Sequence, residues 1–159
     1  MISSRLTRVK KMIKVRIETK ETIAALDKIK GKLKNSLFAS LVKSTALVRE
    51  TVIENIRSGQ KKGLGWSPFA PSTIAYKSKR GRSLIGLVDS GKMMTSVHEQ
   101  VSRTKLTGEV YPGVNYLRFH EEGTRKMPER PTFKPVPKQV NSKISAIFKI
   151  EVAGALYGV

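Results

Sequence analysis

The chain contains no cysteine, so disulfides and thiolate metal sites are excluded. It is poor in acids, with 12 Asp and Glu against 31 Lys and Arg in 159 residues. It is poor in aromatics too, with one Trp, four Tyr and five Phe, and these do not interleave with the basic runs. Base stacking along a single nucleic-acid strand therefore has little to work with. No apolar run approaches the roughly 20 residues needed to cross a bilayer. The start, MISSRLTRVKKMIK, is basic without a following apolar region, so it does not read as a secretory signal, and synthesis in the cytosol is expected. Nucleotide-binding and hydrolase signatures are missing as well. There is no GxxxxGK[ST] phosphate loop and no Ser on a nucleophile elbow.

What is present is positive charge, a formal +19. Arg5, Arg8, Lys10, Lys11, Lys14 and Arg16 precede the first acid, Glu18. Between Glu54 and Asp89 lie Arg57, Lys61, Lys62, Lys77, Lys79, Arg80 and Arg82, with no carboxylate among them. Such a field attracts polyanions and repels like-charged surfaces. Blocks of like charge mark either a contact with nucleic acid or an acidic protein rim, or a solvated basic face.

The length and an apolar fraction of 39% fit one globular domain with its own core. Residues 1–11 read as a basic N-terminal arm and residues 12–159 as a single α+β domain. Ile13, Val15 and Ile17 alternate with charged residues, which predicts a half-buried edge strand. Leu26, Ile29, Leu33, Leu37, Leu41, Val48, Val52 and Ile56 recur at helical spacing and predict one long helix from about Lys20 to Ile56, with Thr19 as its N-cap. At ~1.5 Å per residue it spans roughly 50 Å, more than the core of a small domain needs. Gly31 marks a place where it can kink.

Residues 58–86 form a long basic loop rich in Gly, Ser and Pro, with a short helix after Pro71. A hairpin follows over 96–103 and 109–111, its turn near Thr107 and Gly108. Asn115 is placed to cap a short helix that Gly123 stops in a left-handed conformation. A proline-punctuated extended segment leads to a last helix from about Lys138, with Val140, Ile144, Ile147, Phe148 and Val152 on one face. The expected architecture is a long N-terminal helix packed on a small antiparallel sheet, with a basic loop and a C-terminal helix.

Several residues stand out for what they can do. Trp66, held among Gly63, Gly65, Pro68 and Pro71, is either an aromatic anchor in a subunit contact or a ring folded back on its own core. Asp89 sits in a Ser90-Gly91 turn and is expected to cap backbone N–H groups; one aspartate supplies no acid–base pair. His120, Glu121 and Glu122 look metal-like, but adjacent helical residues point about 100° apart, and the paired-His zincin spacing is absent. No metal, cofactor or catalytic residue is assigned. Arg125, Lys126 and Arg130, stiffened by Pro128 and Pro131 beside Phe133, suit either a carboxylate or phosphate contact or a solvated loop.

The order of these blocks carries a resemblance. A long helix ending near Arg57 and Gly59 is followed by Gly65, Trp66, Pro68 and Thr73 with Lys77 beyond. Then come Leu87, Asp89, Gly91, Met94, Ser96 and Val97, then Asn115, Tyr116, Leu117, His120 and Gly123, and last Pro128, Arg130, Pro131 and Phe133. Over about residues 45–140 the chain resembles the phage virion morphogenesis proteins, the tail-completion or neck proteins of tailed bacteriophages. It departs from their pattern at Leu117, where Ala is usual, and at Thr132, which is inserted before the aromatic.

The resemblance implies a non-enzymatic α+β subunit that forms a ring, expected to be hexameric, at the neck or tail top. Its partners would be sibling copies, the head connector or adaptor, and the tail tube or other neck proteins, with double-stranded DNA passing through. No membrane or small-molecule partner is implied, and the location would be the virion, after assembly in the host cytoplasm. A closed ring needs two unlike patches on each copy. The long helix with the 58–86 loop is expected to form one, and the edge strand with residues 124–135 the other. Trp66, Pro68, Lys77, Arg80, Arg82, Arg125, Arg130 and Phe133 are the interface candidates. Asp89, Gly91, Asn115, His120 and Gly123 are the turn and cap candidates. The alternative, carried by charge alone, is a module that binds the DNA backbone without sequence specificity.

Overall fold

The computed structural model describes residues 20–158. The expected basic arm, the strand around Ile13 to Ile17 and the Thr19 cap lie outside the described residues. The fold is α+β. In chain order it comprises α1 (Lys20–Ser58), α2 (Pro71–Lys79), α3 (Lys92–Thr95), β1 (Val97–Ser102), β2 (Thr107–Pro112), α4 (Leu117–Glu122) and α5 (Val136–Tyr157). Among the described residues no helix is long and apolar enough to cross a membrane.

The helix α1 runs unbroken through Gly31, and its 39 residues span ~58 Å at the usual rise. It packs antiparallel to α5, as two links separated along both helices show. Asn55 is hydrogen-bonded to Gln139 at 3.0 Å, and Lys43 forms an ion pair with Glu151. The seam differs from the expected leucine face. Ser36, Ser40 and Ser44 are buried one turn apart, while Leu33, Leu37 and Leu41 are only half-buried. Small side chains let two backbones approach closely, and the Ser36 hydroxyl donates to the Glu151 carbonyl of α5. Leu26 and Ile29, expected on the packed face, are 60% and 45% exposed. The partner helix α5 ends at Tyr157, and among the described residues nothing covers the first turns of α1.

The other half of α1 carries the core. Val52 and Ile56 are fully buried with Met93, Val97, Leu117, Val136 and Val140. The hairpin β1–β2 lies across α1 in an antiparallel register that pairs Val97 with Pro112 and Ser102 with Thr107. Its turn therefore occupies residues 103–106, with Leu106 at φ 51°, and is displaced from the Thr107-Gly108 position that composition suggested. Gly108 has a packing role instead: a Cβ there would lie 2.1 Å from the Thr45 hydroxyl of α1. The helix α5 starts at Val136, with Pro137 in its first turn, slightly earlier than expected.

Candidate partner-binding cleft

The C-terminal end of α1 is the floor on which the conspicuous sequence blocks meet. Leu87 N–H donates to the Ile56 carbonyl at 2.8 Å, and Gln60 N–H to the Ile85 carbonyl at 3.0 Å. These bonds fasten the 85–87 segment beside the helix end. Gly86 makes this possible, because a Cβ there would stand 1.9 Å from the Arg57 carbonyl oxygen. The Trp66 ring lies on Gly59, where a Cβ would meet the ring at 2.3 Å. The Trp66 indole N–H donates to the Pro131 carbonyl at 3.1 Å. Trp66 is thus folded onto its own chain, 6% exposed, and is not a free anchor for a neighbour.

Between these segments lies a cleft of about 580 Å³ lined by Ile56 and parts of 68–77, 87–94, 116–120 and 126–130. Of the residues singled out from the sequence, Pro68, Lys77, Asp89, Gly91, His120 and Arg130 come together here. The 58–86 loop and the 124–135 segment, expected on opposite patches, form walls of the same cleft.

Two buried basic side chains meet across one aromatic ring. Lys77 and Arg130 are each 5% exposed. The Lys77 ammonium sits 4.7 Å from the Phe69 ring centre and the Arg130 guanidinium 4.8 Å from it, both within cation–π range. Lys77 Nζ donates to the carbonyls of Ser83 at 2.6 Å and Gly86 at 2.7 Å. Arg130 Nη2 donates to Ser67 and Pro68 carbonyls at 3.2 and 3.0 Å. Burial lowers the pKa of Lys77, opposed by nearby Asp89 and reinforced by Arg130. Burial lowers that of Arg130 as well. Lys77 and Arg130, interface candidates from the sequence, are buried in the wall of this cleft and line its interior.

The remaining candidates separate. Arg80 is exposed over the Tyr76 ring, 4.0 Å from its centre. Asp89 makes no backbone cap; its carboxylate pairs with Arg82 at 3.5 Å, a side-chain partner that the turn reading did not include. Ser90 and Gly91 lead into α3, with Gly91 at φ 82°. Asn115 makes no side-chain cap on α4, whose N-cap is Tyr116; its backbone carbonyl accepts from the Arg118 N–H at 3.3 Å. Gly123 has the expected positive φ, 71°, and its missing Cβ leaves room for the Glu129 amide. Arg125 is exposed in the turn closed by Thr124 and Met127, outside the cleft. Phe133 is half-buried against the core.

Glu121 is the structural residue that sequence reasoning missed. From the sequence it reads only as a candidate metal ligand beside His120. In the fold its carboxylate accepts from the Thr132 N–H and hydroxyl, from Phe133 N–H at 2.9 Å and from Lys134 N–H at 3.4 Å. One acid thereby fixes the turn that delivers Arg130 and starts α5. Phe69 was also missed, although it stands in the same block as Trp66. Among the described residues no group of three or more His, Cys, Asp or Glu is placed to hold a metal ion.

His120 lines the cleft with its Nδ1 buried and, among the described residues, without a partner. Burial lowers its pKa, the Arg130 charge lowers it further, and Glu121 opposes both. The folded protein therefore prefers the neutral ring, whereas the unfolded chain takes up a proton near the ordinary value of about 6.5. The stabilising contribution is complete above that value and is lost as pH falls below it towards the lowered folded-state pKa. Thermal melts should show Tm falling as pH drops below about 6.5, and His120→Gln should flatten that slope. An unchanged slope would mean that the ring is not held neutral.

A stretch of 101 residues is 33% identical to the uncharacterized protein MJ0331 of the archaeon Methanocaldococcus jannaschii, covering 60% of this chain and 75% of the archaeal one. The chain belongs to the same family as that protein. No known family's sequence model matches the chain, and no solved structure matches it.

Proposed function

We propose that this protein is a non-enzymatic structural subunit of a tailed-phage neck or tail top, assembling as a ring that completes the tail or joins it to the head connector. The observation that supports this reading most is convergence. The blocks that carry the family resemblance, scattered from Pro68 to Arg130, line one cleft built around a carbonyl-held Lys77 and Arg130. A surface assembled that way suits recognition of a partner.

A second, unlike surface lies at the opposite end of α1. There Ile23, Leu26 and Ile29 are exposed, and α5 ends alongside with Ile150, Leu156 and Tyr157 exposed as well. From Ile29 to Ile56 the helix rises about 40 Å. A head-to-tail ring requires two unlike, mutually complementary patches on each copy, and these two surfaces are the candidates. Light scattering during size-exclusion chromatography should give a mass near six times the 17.7 kDa subunit. Electron microscopy of purified particles should place the protein at the head–tail junction. A monomer at every concentration, together with absence from mature particles, would overturn the reading.

The net charge of +19 favours one other reading, a module that grips the DNA backbone. Tight binding to free duplex DNA with a steep salt slope would support it. A conduit for moving DNA should instead bind phosphate weakly.

A further inference from the structure

The cleft holds more basic charge than the described residues neutralise. Neither Lys77 nor Arg130 has a carboxylate within ion-pair distance among the described residues, and every hydrogen bond they donate goes to a neutral carbonyl. The one carboxylate on the lining, Asp89, is paired with Arg82. Lys92 and Lys126 add exposed ammonium groups to the rim. A donor also remains unused. Lys77 uses two of the three N–H groups an ammonium carries. The Arg130 Nε is buried and has no partner among the described residues, which adds to the cost of holding this charge without offering a donor to the cleft. A buried cation left without a counter-charge is costly, and a charge-assisted bond to an anion relieves that cost.

The rest of the lining is apolar. Leu87, Val88, Met93, Met94 and Tyr116 face the same space. Methionines adapt their shape to varied apolar guests. An inorganic anion or a nucleic-acid phosphate would satisfy the donors and leave these walls wet. A side-chain carboxylate next to an apolar side chain satisfies both halves, and about 580 Å³ lies within the usual size of a ligand pocket.

We propose that the cleft receives a segment of a partner protein in which an Asp or Glu, directed at Lys77 and Arg130, is flanked by an aliphatic or aromatic side chain seated against Met93, Met94 and Tyr116. This rests on the joining role proposed above and specifies what is joined: the partner contributes an acidic, apolar-flanked peptide, and this chain contributes the socket.

The only tryptophan, Trp66, is bonded to Pro131 beside Arg130, so its emission reports on the site. The full-length protein is screened against an array of capped pentapeptides with a central Asp flanked by Leu, Ile, Phe or Tyr, and against a duplicate array carrying Asn in place of Asp. The best binders are then titrated by Trp fluorescence. The Asp peptides should saturate, and their Asn counterparts should bind about tenfold more weakly. Lys126→Glu, at the exposed rim, should weaken Asp-peptide binding about tenfold, whereas Arg80→Glu, outside the cleft, should leave it unchanged.

Equal binding of the two arrays, no saturation by about 10 mM peptide, or equal sensitivity to Arg80→Glu would overturn the proposal. So would displacement of the peptide by inorganic phosphate or a short DNA duplex at comparable concentration, which would assign the site to phosphate. Ring formation is read separately by light scattering. A ring that ignores the peptides would sink the socket alone, and a peptide-binding monomer would sink the ring alone.

Discussion

Trp66→Ala should lower the free energy of unfolding by about 4 kcal/mol, as expected for truncating a buried Trp. The ring is 6% exposed, lies against Gly59 and donates to the Pro131 carbonyl at 3.1 Å. Truncation leaves a cavity beneath the 66–71 and 128–131 segments and an unpaired carbonyl. With domain stabilities of about 5–15 kcal/mol, such a loss can unfold the chain at ordinary temperature. Urea unfolding followed by far-UV circular dichroism measures the change. A loss below about 1 kcal/mol with assembly abolished would restore Trp66 to the role of a surface anchor. In the structure described, stability falls first, and any assembly defect follows from a collapsed cleft.

Glu121→Ala should cost about 3 kcal/mol, because it strands several donors that converge on one carboxylate. Thr132, fully buried, loses its partner at both N–H and hydroxyl, and the Phe133 N–H loses its carboxylate acceptor. Thr132 is also tied through its carbonyl to Asn55 of α1 at 2.9 Å, and Asn55 is bonded in turn to Gln139 of α5. The damage should therefore spread along the α1–α5 contact. Hydrogen exchange at the Thr132 and Phe133 amides should accelerate first. Glu121→Gln keeps the shape and one acceptor, so it should cost about half as much. If Glu121→Ala unfolds at the same urea concentration as the parent protein, the carboxylate does not organise this turn.

The parts of this fold that sequence revealed are those where one local rule decides. The long helix, the short helix after Pro71, the last helix and the positive φ of Gly123 follow from apolar spacing, proline placement and glycine. Where tertiary contact decides, local rules mislead. Gly108 looked like a turn residue, but its lack of a side chain accommodates Thr45 of α1, while Leu106 takes the left-handed turn position that composition would not assign to it. The helix face was expected to bury leucines, yet Ser36, Ser40 and Ser44 are the buried residues there while Leu33, Leu37 and Leu41 are half-buried, and Ser36 bonds to α5. Asp89 and Asn115 are good capping residues by type, but Asp89 has Arg82 within reach and Asn115 offers only its carbonyl.

The cleft was legible in pieces. Its blocks stood out as sequences, and their order carried the resemblance. Nothing local indicated that 58–86 and 124–135 share one space, or that Phe69 lies between a lysine and an arginine.

The unbroken course of α1 has a geometric consequence. A single rod joins the greasy tip near Ile23 to the socket floor at Ile56, so the length and phase of the link are set by residue count and not by a hinge. Adding one residue would lengthen the rod by ~1.5 Å and turn one pole about 100° relative to the other. If copies grip one another at these poles, the helix acts as a gauge, and the number of subunits that close a circle is written in its length.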